Sequence, residues 1–234
     1  MKFTQGLIPG RLLRRYKRFL ADVELADGSL VTAHTPNTGS MLGCAEPGSR
    51  VWLRDSGNPK RKYPLSWELV ETNAGVMVGI NTGLANHLLR EAIETGQVSE
   101  LGGYERIRSE VKYGSENSRI DLLLAAQGRP DCYVEVKNLT LVEGGTGYFP
   151  DAVSARGSKH LRELSTVARA GQRAVIFFCV QRNDACRVSP ADAIDPVYGQ
   201  TLRQALEQGV EALAYAASPS PEGISLERAL QVVV

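Results

Sequence analysis

In the first third of the chain, apolar and polar residues alternate in short runs, each ended by a turn signal. RFLADVELA at 18–26, SLVTAHT at 29–35, RVWLRD at 50–55 and WELVET at 67–72 are separated by DG at 27–28, PNTG at 36–39, PG at 47–48 and SGNP at 56–59. Period-two alternation between such breakers predicts strands, and no stretch here has the length and 3.6-residue period of a helix. Some five strands in about 70 residues suit a compact barrel, and an oligonucleotide-binding (OB) barrel is a known solution of that size.

The period changes after NTG at 81–83. LANHLLREAIET at 84–95 places Leu84, Leu88, Leu89 and Ala92 on one helical face, with Gly96 as a stop. Strands are expected at YERIRSEVKY (104–113), SRIDLLLA (118–125) and CYVEVKNLTL (132–141), a helix at about 157–170 capped by Ser158, a strand at RAVIFFCV (173–180) and a last helix near 197–208. The expected architecture is therefore two domains: an OB-fold-like barrel over residues 1–80 and a mixed α/β domain over 81–234.

One strand carries charges where a buried strand avoids them. In CYVEVK, alternation puts Glu135 and Lys137 on one face, opposite Val134 and Val136. AQGRPD marks a turn before it, so 118–125 and 132–141 should form an antiparallel hairpin. A register centred on Gly128 sets Asp121 opposite Glu135 and keeps Ile120, Leu122 and Leu124 on the apolar side. Like charges in such a position are destabilising unless one is protonated or a cation lies between them. A divalent metal relieves the repulsion, and Mg2+ (or Mn2+) suits two carboxylates completed by water and phosphate oxygens. Lys137 would then position or help deprotonate a metal-bound water, or stabilise charge growing on a phosphate.

SRIDLLL followed by CYVEVKNLTL resembles the metal-binding core of the PD-(D/E)xK nuclease superfamily. RYKRFLADV, HTPNTGSM, NPKRKYPLSWELV, SEVKYG, VEVKN, GYFPDAVSARGSKHLREL and RAVIFF, spread along nearly the whole chain, resemble the bacterial sugar fermentation stimulation protein A family. The resemblance implies an N-terminal OB barrel that contacts DNA, a C-terminal nuclease-like domain, and a DNA-binding role, regulatory in sugar metabolism. It also implies Asp121, Glu135 and the Val136 carbonyl as metal ligands and Lys137 as the catalytic lysine. Ile120 stands where the superfamily's name has proline. Many members add a carboxylate from the first helix, for which Glu91 and Glu94 are the candidates, with Glu110 a third.

Charge adds a partner. Residues 1–70 hold eleven Lys and Arg against six Asp and Glu, while the remainder holds sixteen against twenty. A basic first third points to a polyanion. Arg14, Arg15, Lys17 and Arg18 lie beside Tyr16, and Lys60, Arg61 and Lys62 beside Tyr63, a mixture suited to phosphates and unpaired bases. Trp67 reads as barrel core. Arg156, Lys159 and His160 cluster at the start of a helix, where an anion is favoured. The expected partner is DNA, duplex or single-stranded, bound with low sequence specificity since no base reader is evident. Two readings stay open, a metal-dependent deoxyribonuclease and a non-catalytic DNA-binding regulator or nucleoid component on a nuclease fold. The four cysteines lack zinc-ligand spacing, His34 and His87 suggest neither ligand nor triad, and no apolar run spans a bilayer. A cytoplasmic protein with reduced, mostly buried thiols and no membrane association is expected.

Overall fold

The structure, a computed structural model, describes residues 1–114 and 118–234. Its first unit is a sheet of strands β1 (Ile8–Tyr16), β2 (Leu20–Leu25), β3 (Leu30–His34), β4 (Arg50–Asp55), β5 (Leu65–Glu71) and β6 (Met77–Gly79), in the order β3-β2-β1-β4-β5-β6. A parallel contact of His34 with Ser66 joins β3 to β5 and closes the first five strands into a barrel. Leu12, Val23, Val51, Leu53 and Trp67 fill it, and the Trp67 indole N–H donates to the Leu69 carbonyl at 2.8 Å. The segment expected as a basic surface, 11–19, mostly belongs to β1: Leu12 points into the core, while Leu13 falls at a register shift against β2 and stays partly exposed.

The second unit is a nine-stranded mixed sheet. Helix α1 (Ala85–Glu94) leads into the antiparallel strands β7 (Arg106–Tyr113), β8 (Ser118–Ala125) and β9 (Cys132–Leu139). A short hairpin, β10 (Val142–Glu143) and β11 (Thr146–Phe149), precedes helix α2 (Ala155–Arg169). Strands β12 (Arg173–Val180) and β13 (Arg187–Pro190), helix α3 (Pro196–Glu207), and the final hairpin of β14 (Glu211–Ser220) and β15 (Gly223–Val232) follow. The strand order is β10-β11-β13-β15-β14-β12-β9-β8-β7, with β12 parallel to both β9 and β14. Alpha1 covers one face with Leu88, Leu89 and Ala92, while α2 and α3 cover the other with Leu161, Leu164, Tyr198 and Leu202. Trp52 and Leu69, on the outside of the barrel, join the α1 cluster, so the two units share one hydrophobic core.

A small barrel followed by an α/β unit is the expected architecture, with three corrections inside it. The C-terminal hairpin is absent from the sequence reading because Ala, Leu and Glu dominate EALAYAAS and SLERALQ, and pairing against β12 overrides their helical propensity. Ser158 does not cap α2. The cap is Ser154, whose hydroxyl accepts from the Gly157 N–H at 3.0 Å, and Ser158 is buried within the helix. Asp195 ties the two helices together by capping α3 through Tyr198 N and accepting from Ser154 N. The third correction, at Asp121, concerns the site and is taken up there. Among the described residues no helix is long and apolar enough to cross a membrane.

Cys44, Cys132 and Cys179 are buried and Cys186 is exposed. Burial pushes the Cys44 and Cys132 thiols up to about 11 and that of Cys179 up to about 12. A thiol reagent such as Ellman's should therefore modify Cys186 rapidly in the native protein and the other three only after denaturation; rapid reaction of all four would contradict this packing.

Candidate functional site

Hairpin β8–β9 has the expected register, with Leu122 opposite Val134 and Leu124 opposite Cys132. The ladder then stops short of Asp121. On the other side of β8, pairing with β7 passes from Ser109–Leu122 to Val111–Ile120 in constant register, leaving Asp121 and Glu110, whose φ is +55°, outside the ladder. Across this gap the inward face of β8 reverses. Leu122 and Leu124 pack against α1, as expected, but Ile120 packs on the α2 side, a correction to the single apolar face read from the sequence. Asp121 stands at the crossing point. Its carboxylate, rather than a backbone carbonyl, takes the Val136 N–H at 2.7 Å, and its other oxygen accepts from Asn86 Nδ2 of α1 at 2.9 Å.

Glu135 is 3% exposed. One of its oxygens receives the Lys137 ammonium at 2.7 Å and a short contact from His160 Nδ1 of α2, and Arg156 Nε donates to His160 Nε2 at 3.3 Å. That last bond leaves the ring proton on Nδ1, directed at Glu135. The second oxygen, Oε2, is buried and has no hydrogen-bond partner among the described residues. Burial pushes the Glu135 carboxyl up, but His160 and Lys137 together hold it below the ordinary carboxylate range. Burial and the neighbouring Glu135 charge push Asp121 the other way, above its ordinary value, against the Val136 and Asn86 bonds. In this structure the cation that relieves the carboxylate repulsion is the Lys137 ammonium.

Asp121, Val136 and Lys137 line a cleft of about 320 Å3 whose opposite wall is the barrel loop of Asn37, Thr38 and Gly39. Arg15 and Arg18 build that wall. The Arg15 guanidinium donates to the carbonyls of Asn37 at 3.0 Å and Gly39 at 2.9 Å, and Arg18 to that of Thr38 at 3.0 Å. Asp151 fastens the wall to the α/β unit, accepting from Ser40 Oγ at 3.0 Å and Met41 N at 3.1 Å.

The predicted site residues thus divide. Asp121, Glu135, Val136 and Lys137 come together, with Arg156 one residue away through His160. Lys159 lies half-buried on α2. Glu91 does not join them: it pairs with the N-terminal ammonium, and five residues from Asn86 is roughly 140° around the helix. Glu94 pairs with Arg90, and Glu110 is exposed. Arg14 is held by Asp22 at 2.8 Å. Lys17 is exposed at the β1–β2 turn next to the wall, and Lys60 and Lys62 are exposed in the β4–β5 loop; among the described residues none of the three forms an ion pair with a carboxylate. Arg61 reaches Ser66 Oγ only at 3.4 Å. Sequence reasoning missed Asn86 and Asp151, and it set His160 in an anion-favouring cluster and not against Glu135. Only their place in the motifs hinted at them.

Among the described residues no three His, Cys, Asp or Glu side chains converge as a metal cage. The set is two carboxylates and a backbone carbonyl, all hard oxygens, with one carboxylate oxygen buried and unpartnered. Such a set fits an ion that keeps water and substrate oxygens in its shell, as Mg2+ does.

A family model described as "SfsA N-terminal OB domain" matches residues 13–80, and one described as "Sugar fermentation stimulation protein RE domain" matches residues 83–223. A sugar fermentation stimulation protein homolog of Geobacter sulfurreducens is 63% identical over 233 residues, covering 100% of this chain and 99% of its own. One from Pelobacter propionicus is 65% identical over 229 residues, covering 97% and 98%. The solved structure of Pyrococcus furiosus SfsA, in complex with Ca2+, is 29% identical, covers 100% of this chain and 98% of its own, and superposes with a TM-score of 0.89.

Two measurements check the electrostatics. Removing Lys137 leaves Glu135 buried beside Asp121, so without metal Lys137→Ala should lose about 3 kcal/mol in urea unfolding, and adding Glu135→Gln should restore most of it; equal losses would refute the pairing. Because the folded Asp121 pKa lies above its ordinary value of 3.8, the folded state binds that proton more tightly. Its contribution is present at low pH and is lost as pH rises through the folded value, so in EDTA the stability of wild type relative to Asp121→Asn should fall with pH across that window.

Proposed function

The chain belongs to the sugar fermentation stimulation protein family, and from that premise together with the carboxylate pair we propose that it binds DNA with low sequence specificity and carries a Mg2+- or Mn2+-dependent phosphodiester-hydrolysing site. The observation that carries the reading is the joining of Asp121, Val136 and Lys137 on the floor of a cleft roofed by the OB barrel, with Glu135 buried directly behind. In this reading Asp121, Glu135 and the Val136 carbonyl hold the ion, and Glu91 contributes nothing to it. The Ca2+ complex of the Pyrococcus furiosus relative supports a divalent site.

The metal, when bound, supplies positive charge for the scissile phosphate and lowers the pKa of water. The chain's own groups do the rest. Asn86 and the Val136 N–H fix the Asp121 carboxylate, and His160, steadied by Arg156, fixes that of Glu135. Lys137, which pairs with Glu135 and lines the cleft, would donate to an attacking water or to a phosphate oxygen there. Lys17, Lys60, Arg61, Lys62, Arg156 and Lys159 supply phosphate contacts, whereas Arg15 and Arg18 shape the wall and Arg14 is held by Asp22. A placement in the cytoplasm and a regulatory role on sugar genes belong to the same proposal and rest on the family alone.

A second reading has its own support. With the Lys137 ammonium paired to Glu135 and His160 hydrogen-bonded to the same oxygen, the carboxylate has a countercharge without metal, as a non-catalytic DNA-binding regulator or nucleoid component would need. Incubating DNA with the protein in Mg2+ or Mn2+ separates the two: cleavage lost in Asp121→Ala and Lys137→Ala is expected, while cleavage absent, or unchanged in these variants, leaves the binding reading. Binding itself should weaken steeply with salt, and Lys60→Ala with Arg61→Ala should reduce the salt slope by roughly 2. Salt-insensitive binding would refute the phosphate contacts.

A further inference from the structure

The wall of the cleft is fixed to an unusual degree for a loop. The Pro36 carbonyl accepts from Thr82 N and Oγ1, those of Asn37 and Gly39 from Arg15, and that of Thr38 from Arg18. Four successive carbonyls are thus tied down by donors from the barrel and the first turn of the α/β unit. Asp151 holds the far end, and the approach is already as close as backbone allows: a Cβ at Gly39 would stand 2.7 Å from an Asp151 oxygen. A wall fastened on both sides does not swing out of the way as a lid does.

The space it leaves is about 320 Å3, at the small end of ligand pockets, which run from about 300 to 1,000 Å3. A phosphodiester entering on one strand of a duplex brings the complementary strand with it, and that strand would need the volume the wall occupies. The cleft also offers an aromatic surface. Tyr148 and Phe149 both line it; the Phe149 ring packs on Phe178 and Tyr198, while among the described residues Tyr148 stacks on no other ring. A ring at such a place stacks on a base only when the base is unpaired.

We propose that the cleft admits a single unpaired strand, one base stacked on Tyr148 and its phosphate toward Lys137, and excludes intact duplex. This rests on the DNA-binding reading above and narrows its substrate class.

The test is fluorescence anisotropy on the full chain in Ca2+, with a labelled single strand of about twelve nucleotides, inside the range of known single-strand site sizes, and the same sequence as a hairpin duplex. The single strand should bind about tenfold more tightly; Tyr148→Ala should lose about tenfold on the single strand, the scale of one stacked base, with duplex affinity unchanged. Thr38→Glu, at an exposed wall position, should likewise weaken the single strand more than the duplex. Equal affinity for the two forms, or a single-strand affinity that neither variant lowers selectively, overturns this inference while DNA binding stands. Failure to bind either DNA overturns both. Binding with this preference but without cleavage in Mg2+ or Mn2+ supports the inference and removes only the catalytic reading.

Discussion

Glu135 places a carboxylate on an interior strand of a nine-stranded sheet, nearly out of contact with water, and a buried charge is tolerated only when paired and hydrogen-bonded. Much of the surrounding structure answers that requirement. Lys137 supplies the countercharge from the next outward position on the same strand, and α2 is set so that His160 reaches the same oxygen. Arg156, one turn earlier on α2, holds the far side of the imidazole. One oxygen remains unmatched, beside a second carboxylate whose ionisation is already disfavoured. A site left short of positive charge in this way is stable as it stands and receptive to one more cation.

The second constraint is the seam between the units. Trp52 and Leu69 turn outward from the barrel into the core beneath α1, so the barrel is not a loosely tethered module. A polar chain runs beside them: Glu68 accepts from Arg54 and Asn81, Gln181 donates to the Asn81 carbonyl and to Asn138, and Gly79 lies against Gln181 with no room for a side chain. These contacts fix the height of the barrel loop above Asp121. The basic residues in and just after β1 therefore differ in use, since Arg15 and Arg18 organise the loop while Lys17 beside them is exposed and, among the described residues, forms no ion pair with a carboxylate.

How far the site was legible can be judged residue by residue. The β8–β9 register, Leu122 opposite Val134 and Leu124 opposite Cys132, followed from a Gly-Pro turn and the alternation of both strands, because a one-residue slip would have broken the match of their apolar faces. The reversal at Ile120 did not: it lies beside the left-handed Glu110 of a neighbouring strand, and nothing in ERIRSEVKY marks that position as a bend. Ser158 was read as the helix cap from its residue type, whereas the cap is Ser154, held in place by the docking of Asp195 onto its N–H. His160 was grouped with Arg156 and Lys159 at a helix start, and its contact with Glu135 was hidden because that partner is twenty-five residues away.

By itself the sequence determined what local chemistry can dictate. Strand and helix periods, the hairpin turn, the two-unit order, the clustering of positive charge in the first third and the placing of Asp121, Glu135 and Lys137 on facing strands of one hairpin all follow from residue type and spacing. Tertiary structure alone decided which cation neutralises Glu135, which helix residue meets Asp121, and that a barrel loop pinned by Arg15 and Asp151 roofs the cleft. Those outcomes are contacts between segments tens of residues apart. They are selected by the free energy of the whole packed chain, which no local pattern encodes.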